Sequence, residues 1–414
     1  MMEHGLGSPL PPVGHSRVNE PAGASRRSWL ALAAVTRLPP VDTRWRLAVA
    51  LAAHEFFAVQ QDAALASRYD KAHEPGKPFL PFTVADFADY LSTHEQLKDV
   101  VQAWPRITEI QRLLADKARA GLLYDCGRDA LSDKFYTNMY WTMGSVAKSQ
   151  TNGLLWLSEA VGPGLIIESY GAMTAPVAKP GEAGIGSGLV LDDYHILTNR
   201  HVVKDLNIHA GDELVTPQIP PPLVLRAPWH EIPDSVRVAR DPIFDDDEDA
   251  LGESDDERGL DLAVIEVESA DDRPALNTLP GIVWRDPEAT DSAYVFGYPQ
   301  VPTLADAYML VHGGQVVNPR VLTFQSGEVV SPDVRSFQGQ RFFLYSSTTR
   351  PGNSGGPIIA QDGRVIGIVA HTTFDKADPQ GTPGFHRGIP GGEVIEWLEA
   401  HQLGHLALLE DWER

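Results

Sequence analysis

A serine at position 354 lies in the string GNSGGP (352–357), which is followed by the apolar run VIGIVA. The surrounding glycines permit unusual backbone dihedrals and leave room for another chain to approach. A hydroxyl at a tight bend between two predicted strands suits a nucleophile aimed at a peptide carbonyl. The amides of Gly352 and Ser354 could then point at the developing oxyanion. The alternative is a glycine-rich turn that merely contains serine, and the length of the string disfavours it.

A serine hydroxyl is a poor nucleophile near neutral pH, so this chemistry needs a general base and a group that orients it. His201 follows a β-rich run and a Thr-Asn-Arg turn in the stretch GIGSGLVLDDYHILTNRHVV. Two further histidines, His195 and His209, lie nearby, and by composition alone each could be a surface residue. Asp261 opens an apolar strand in GLDLAVIEV. Its carboxylate could hold an imidazole in one tautomer and stabilise it when protonated.

These three stretches resemble the trypsin-like (chymotrypsin-fold) serine peptidases, in the chain order His, Asp, Ser. The matching motifs are TNRHVV around His201, DLAVI at Asp261 and GNSGGP around Ser354. In detail they are most similar to the disulfide-free bacterial branch, which includes the high-temperature-requirement proteases and the staphylococcal glutamyl endopeptidases. The run VIGIVA and the stretch TPGFHRGIPGGEVIEWL, where the family has a strand and a closing helix, extend the resemblance over roughly residues 165–400.

The resemblance implies two six-stranded β-barrels of chymotrypsin type, with His201 and Asp261 from the first barrel and Ser354 from the second. It also implies acyl transfer, in which Ser354 attacks, His201 shuttles the proton and Asp261 orients His201. The amides of Gly352 and Ser354 would hold the oxyanion. The substrate would be a protein or a peptide, and neither a cofactor nor a metal is expected. A catalytically silent scaffold on the same fold is the alternative, which the intact triad positions disfavour.

Residues near the nucleophile indicate the specificity of this site. Trypsins place an aspartate six residues before their nucleophile, whereas this sequence has Thr348 there, followed by Thr349. Glutamyl endopeptidases also show a Thr-Thr pair and use a histidine two residues nearer than His371. The resemblance places His371 and His386 near the pocket walls and Gly384 at the base. An acidic or polar substrate side chain is therefore expected rather than a basic one, unless both histidines point elsewhere.

At 414 residues the chain exceeds one typical domain, and its composition is that of a globular protein. We predict a multidomain α plus all-β protein. Its one cysteine, Cys126, rules out an internal disulfide and indicates a reducing compartment, hence a cytoplasmic location, with an exported bacterial protein as the alternative. The predicted parts are a flexible tail (1–27), a helical regulatory or interaction module (28–160), a trypsin-like serine protease domain (161–400) and a C-terminal tail (401–414).

The module reads as helical over residues 42–153. A helix capped by Asp42 or Thr43 is predicted to run to about Ser67, a capping arrangement lies at 83–86, and ITEIQRLLADKARAGLL predicts a further helix. The stretch LLWLSEAVGPGLIIESYG then predicts strands around a Gly-Pro-Gly turn. These strands could complete a small winged-helix-like module, or LIIESYG could already be the first protease strand. The following segment, 172–183, is predicted to be a loop.

Charge is divided unevenly along the chain. Residues 1–160 hold 17 basic and 17 acidic residues, so the remainder carries the whole net charge of −22. Such a field repels nucleic acid and anionic membranes. The helical region shows no metal spacing, phosphate loop or repeat, so a regulatory protein partner of residues 28–160 is expected. The acidic run 245–257 is predicted to be a solvated loop, with cation binding or capture of basic substrates as the alternatives. No apolar run is long enough for a membrane span, which needs about 18 residues, and none suits a signal peptide.

Overall fold

The chain changes from mainly helical to strand-rich at Thr174, later than the residue types predict. The computed structural model describes residues 41–58, 63–71, 80–130, 135–142, 155–182, 185–217, 230–245, 259–269, 274–279, 282–299, 310–312, 315–317, 321–336, 339–370 and 385–407. The predicted tail, 1–27, and all of the acidic run except Asp245 lie outside these ranges.

The first helix, α1 (Thr43–Phe56), begins after Asp42, whose carboxylate accepts a hydrogen bond from the amide of Trp45 at 2.8 Å. The prediction that this helix continues to Ser67 is wrong. The amide of Thr142 donates to Phe57 O at 2.8 Å, and this bond draws the chain out of the helix into a short bridge with a distant strand. A separate helix, α2 (Ala63–Arg68), follows.

The capping arrangement at residues 83–86 is confirmed. Helix α3 (Val84–Thr93) starts with a reciprocal pair of bonds, in which Thr83 Oγ1 accepts from Asp86 N at 3.1 Å and Asp86 Oδ2 accepts from Thr83 N at 2.9 Å. The bonds satisfy two amides that the helix itself leaves unpaired. Among the described residues before 120, α4 (Lys98–Val101), a 3₁₀ turn (Trp104–Arg106) and α5 (Ile107–Arg119) follow.

Three short strands form a small sheet in this region, and they lie earlier than the predicted hairpin. They are β1 (Phe82–Thr83), β2 (Tyr124–Arg128) and β3 (Asn138–Trp141), in the spatial order β1-β3-β2. The winged-helix-like module stays a prediction. Strand β2 is an edge strand, so Cys126 is only half-buried there.

The stretch predicted to hold strands around Gly-Pro-Gly is helical. It forms a 3₁₀ turn (Leu155–Leu157), α6 (Ser158–Val161) and α7 (Pro163–Met173). Gly162, with φ +105°, ends the first helix, and Pro163 opens the second, where a missing N–H costs nothing. The segment 172–183 is not a loop throughout, because β4 (Thr174–Val177) lies within it. This strand, rather than LIIESYG, is the first of the protease region.

Two six-stranded barrels follow, as the resemblance implies. The first has the order β4-β5-β6-β9-β8-β7, and the second closes in the order β10-β13-β14-β17-β16-β15. A hairpin of β11 and β12 lies between β10 and β13. The strands are β5 (Gly186–Val190), β6 (His195–Thr198), β7 (Glu213–Val215), β8 (Ser235–Val238), β9 (Ala263–Glu268), β10 (Ser292–Gly297), β11 (Leu310–His312), β12 (Gln315–Val317), β13 (Thr323–Arg335), β14 (Arg341–Tyr345), β15 (Pro357–Ile359), β16 (Val365–Val369) and β17 (His386–Pro390).

Alternating apolar residues of the strands form a separate core inside each barrel. Two helices accompany the barrels: α8 (Arg200–Asp205) follows β6, and α9 (Gly391–Ala400) follows β17. Of the predicted tail 401–414, residues 401–407 are described, and they include a 3₁₀ turn (Gly404–Leu406). Every helix in the described ranges is too short or too polar to cross a bilayer.

The last helices of the N-terminal region pack on the second barrel at the turn between β15 and β16. Ser158 Oγ donates to Gln361 O at 2.6 Å, and Tyr170 Oη donates to Gly363 O at 2.9 Å. The predicted boundary between residues 160 and 161 falls inside α6, so a helix that contacts the barrel spans it. The division of the chain into these domains stays a prediction.

Candidate active site

His201 and Asp261 lie side by side because the strands that carry them are neighbours. Strands β6 and β9 pair antiparallel with Thr198 opposite Ala263, so the residues just after β6 meet those just before β9. Asp261 Oδ2 lies 2.7 Å from His201 Nδ1, and Asp261 Oδ1 accepts a hydrogen bond from His201 N at 3.0 Å. One carboxylate therefore holds both the ring and the backbone of the histidine.

The peptide that carries Asp261 is itself fixed by Asn199. The Asn199 side chain is fully buried, and its Nδ2 donates to Asp261 O at 2.7 Å. About a fifth of the His201 side chain and a quarter of the Asp261 side chain remain exposed. The pair is therefore rigidly held and still reachable from solvent. Sequence reasoning missed Asn199, although it lies in the motif TNRHVV.

Ser354 lies on a tight turn, as the glycine-rich string predicts. The amide of Asn353 donates to Arg350 O at 3.0 Å, and Gly352 between them has φ +101°, a conformation that glycine adopts without strain. On the far side of the serine, Gly355 N donates to Val369 O at 3.1 Å, which ties the turn to β16. Ser354 itself is half-buried.

The two amides and the hydroxyl expected to face a substrate form no hydrogen bond with the described part of the chain. There, no residue accepts a hydrogen bond from the amide of Gly352 or of Ser354, and none bonds to Ser354 Oγ. Two backbone donors and one hydroxyl on the same turn are thus directed to no described protein partner. A polarised oxygen is the kind of group such a pair of amides can bind.

The turn of Ser354 lies directly against the segment that leads to His201. A Cβ built at Gly355 would lie 2.3 Å from Ser187 O, 2.3 Å from Thr198 Oγ1 and 3.0 Å from Asn199 N. The backbone of the second barrel therefore touches the first barrel two residues before His201. Ser187 N also donates to Ser354 O at 2.9 Å, across the same boundary. Sequence reasoning missed Ser187, because a serine between two glycines in a strand gives no distinctive signal.

Two of the five residues predicted for the specificity pocket lie together. Thr349 Oγ1 forms a short hydrogen bond with His386 Nδ1, and Thr349 N donates to His386 Nε2 at 3.3 Å. Burial lowers the pKa of His386 below its ordinary 6.5. Thr348 is exposed, and His371 and Gly384 lie outside the described residues.

The other two histidines near His201 have local partners. His195 Nδ1 lies 2.8 Å from Asp192 Oδ1 in the turn before β6, and His209 is exposed with its Nε2 3.2 Å from Asn207 Oδ1. Among the residues that the structure describes, no cluster of three or more His, Cys, Asp or Glu side chains could hold a metal ion.

Comparison with known proteins identifies one matching family profile. Residues 186–368 match the profile described as "Trypsin-like peptidase domain". No curated protein sequence matches the chain. Among the solved structures that match is the serine endoprotease from Yersinia pestis, with 17% identity and a TM-score of 0.36. That match covers 58% of this chain and 66% of the other, just under two thirds of its length.

The contact at Gly355 predicts an unusually costly glycine substitution. We expect Gly355→Ala to lower the free energy of unfolding by more than about 3 kcal/mol, because the new methyl group would overlap backbone atoms of Ser187. Gly339→Ala is the matched control, since Gly339 also has positive φ (+88°) but nothing within 4 Å of its Cβ position. Its cost should be only about 1–2 kcal/mol. Denaturant unfolding measures both, and equal costs would contradict the close approach.

Proposed function

We propose that this chain, whose residues 186–368 form a trypsin-like peptidase domain, is a serine endopeptidase that cuts protein or peptide substrates. The observation that carries the proposal is the double contact of Asp261 with the ring and the amide of His201. It is supported by the packing of the Ser354 turn against the segment before His201. A catalytically silent scaffold has no need of a carboxylate that orients an exposed imidazole.

The proposed reaction follows from these groups. His201 Nδ1–H donates a hydrogen bond to Asp261, which places the lone pair of the ring on Nε2. That nitrogen takes the proton of Ser354 Oγ as the oxygen attacks the peptide carbonyl. The amides of Gly352 and Ser354 stabilise the oxyanion, and His201 returns the proton to the leaving amine. Water then attacks the acyl-enzyme by the same route in reverse, releasing the acid and restoring the hydroxyl.

Two substitutions test the proposed triad. Ser354→Ala should abolish both peptide hydrolysis and labelling by a fluorophosphonate probe. Asp261→Asn should lower kcat by about 10⁴-fold, because the new amide would donate to His201 Nδ1 and force the wrong tautomer. Its remaining oxygen can still accept from His201 N, so the fold should be retained, which a thermal melt checks. Undiminished labelling of the Ser354→Ala variant would disprove the role of Ser354.

We further propose that Thr349 and His386 receive the substrate side chain before the scissile bond. Because His386 Nε2 accepts from Thr349 N, its proton lies on Nδ1 and is donated to Thr349 Oγ1. The Thr349 hydroxyl hydrogen, which has the phenol of Tyr345 beside it, can then turn to a carbonyl or carboxylate oxygen of a substrate. This pair offers donors and no carboxylate, so glutamine and glutamate are favoured at this position over lysine and arginine.

The pH dependence of this preference is a specific expectation. Since the pKa of His386 is lowered, the ring is neutral at pH 7 and gains a proton only in more acidic solution. The ratio of kcat/KM for a Glu peptide to that for the matched Gln peptide should therefore rise as the pH falls from about 7 to about 5. Any effect of pH that is the same for both substrates cancels in the ratio.

The matched variant for this measurement is His386→Asn, which can still donate to Thr349 Oγ1 but does not titrate. The ratio should then be independent of pH. A strong preference for basic residues, or an unchanged slope in His386→Asn, would refute the assignment of this pair.

We also propose that the helical region binds a regulatory protein partner and restrains the protease. The exposed side of α5 mixes acidic and basic residues, including Glu109, Arg112 and Arg119, which suits a protein partner better than nucleic acid. The last helices of the helical region contact the turn between β15 and β16 through Ser158 and Tyr170. These contacts give the region a direct physical connection to the second barrel.

Loosening that connection in the full chain tests the restraint. The double variant Ser158→Ala, Tyr170→Phe removes both hydrogen bonds and should raise kcat/KM on a small peptide by about 2- to 30-fold. Ser92→Ala is the control, because it removes a hydroxyl-to-carbonyl bond inside α3, away from the barrel. If the double variant hydrolyses the peptide like the control, the helical region does not restrain the protease through this contact.

A further inference from the structure

We propose that the hydroxyl of Ser187 is a positioning group that holds the loop of the oxyanion donors in place, an inference that rests on the proposed peptidase function. Ser187 lies on β5 of the first barrel and is fully buried. Both partners of its hydroxyl nevertheless belong to the second barrel. Ser187 Oγ donates to Gly352 O at 2.6 Å and accepts from Tyr298 N at 2.9 Å.

The backbone N–H and C=O of Ser187 are both hydrogen-bonded without the help of its side chain. Its amide donates to Ser354 O at 2.9 Å, and its carbonyl accepts from Thr198 Oγ1 at 2.7 Å. Glycine or alanine could make both of these bonds. The hydroxyl therefore has a separate role, and its hydrogen-bond partners among the described residues are the carbonyl of Gly352 and the amide of Tyr298.

The orientation of the Gly352 carbonyl decides where the neighbouring amides of the loop point. Glycine has more backbone freedom than any other residue, so a loop that depends on its conformation needs an external restraint. Gly352 is confined on one side by Tyr298, because a Cβ on Gly352 would lie 2.5 Å from Tyr298 O. The Ser187 hydroxyl fixes the direction of the carbonyl. Together these contacts set the orientation of the peptide between Gly352 and Asn353, and with it the aim of the two flanking amides.

Tyr298 provides a rigid base for the arrangement. It is buried, and its phenol donates to Thr174 O at 3.2 Å at the start of β4. Its amide is held by Ser187 at the other end. The hydroxyl of Ser187 thus links Tyr298, which is held at both ends, to Gly352, whose backbone has the freedom of a glycine. Loss of the hydroxyl should therefore loosen Gly352 rather than Tyr298.

The test compares Ser187→Ala with the unchanged full chain. We expect kcat on a peptide substrate to fall by about 10- to 100-fold while KM changes by less than about threefold, because oxyanion stabilisation acts in the transition state. Thr216→Val is the control. It removes a buried hydroxyl that donates to Pro233 O next to β7, and it should leave kcat unchanged.

Amide hydrogen exchange supplies a second readout that does not require activity. In Ser187→Ala, the amides of Asn353 and Ser187 should exchange at least about tenfold faster than in the control, because the loop they anchor is released. If Ser187→Ala fails to fold, Ser187→Cys replaces it. Its thiol is a weaker donor, so smaller changes in the same direction are expected.

The outcomes separate this inference from the proposed function. Exchange and kcat that match the Thr216→Val control would overturn the positioning role of Ser187, even in an active enzyme. A fall in kcat without faster exchange would also overturn it. If the unchanged chain hydrolyses no peptide while exchange still accelerates in Ser187→Ala, the peptidase proposal fails and the restraint of the loop stands.

Discussion

The candidate site depends on one close approach between the backbones of the two barrels. Only a residue without a side chain fits at Gly355, where the carbonyl of Ser187 and the hydroxyl of Thr198 leave no room for a Cβ. The turn that carries Ser354 leads into β15 and is tied to β16 through Gly355 N and Val369 O, whereas the segment that carries His201 follows β6. Because a close-packed interior is hardly compressible, this approach restrains the position of the Ser354 turn relative to the segment before His201.

The polar groups on each side of this contact have defined hydrogen-bonding arrangements. Both oxygens of Asp261 bind the same histidine, one through the ring and one through the backbone, and Asn199 fixes the peptide behind the carboxylate. A charged group that is this well bonded needs no large movement when the imidazole gains a proton. The first barrel therefore holds an imidazole in a fixed orientation. The second contributes a turn on which the amides of Gly352 and Ser354 and the Ser354 hydroxyl bond to no described residue.

Much of the site could be predicted from the sequence because its residue types are rare in such patterns. A serine within GNSGGP and an aspartate at the mouth of an apolar strand each suggest chemistry before any fold is known. Ser187 could not be predicted in the same way, since a serine between two glycines in a strand has no distinctive signature. Its role depends on Gly352 and Tyr298, which are more than a hundred residues away in the chain.

The errors in the predicted fold also arise because contacts between distant residues decide the local structure. Gly162 and Pro163 are typical of a hairpin turn, but the same pair also ends one helix and starts another, and burial against the second barrel decides between them. Likewise, β4 lies in an Ala- and Pro-rich segment of low strand propensity and is held by its pairing with β5. The cytoplasmic location rests on the single cysteine and stays a prediction.

The most direct measurement of the central claim is a crystal structure of the full chain after reaction with a peptide boronic acid. The account predicts a covalent bond from boron to Ser354 Oγ, with one boronate oxygen within about 3 Å of the amides of Gly352 and Ser354 and the His201 ring beside the other. A boronate bound to a different residue, or one whose oxygen points away from both amides, would contradict it.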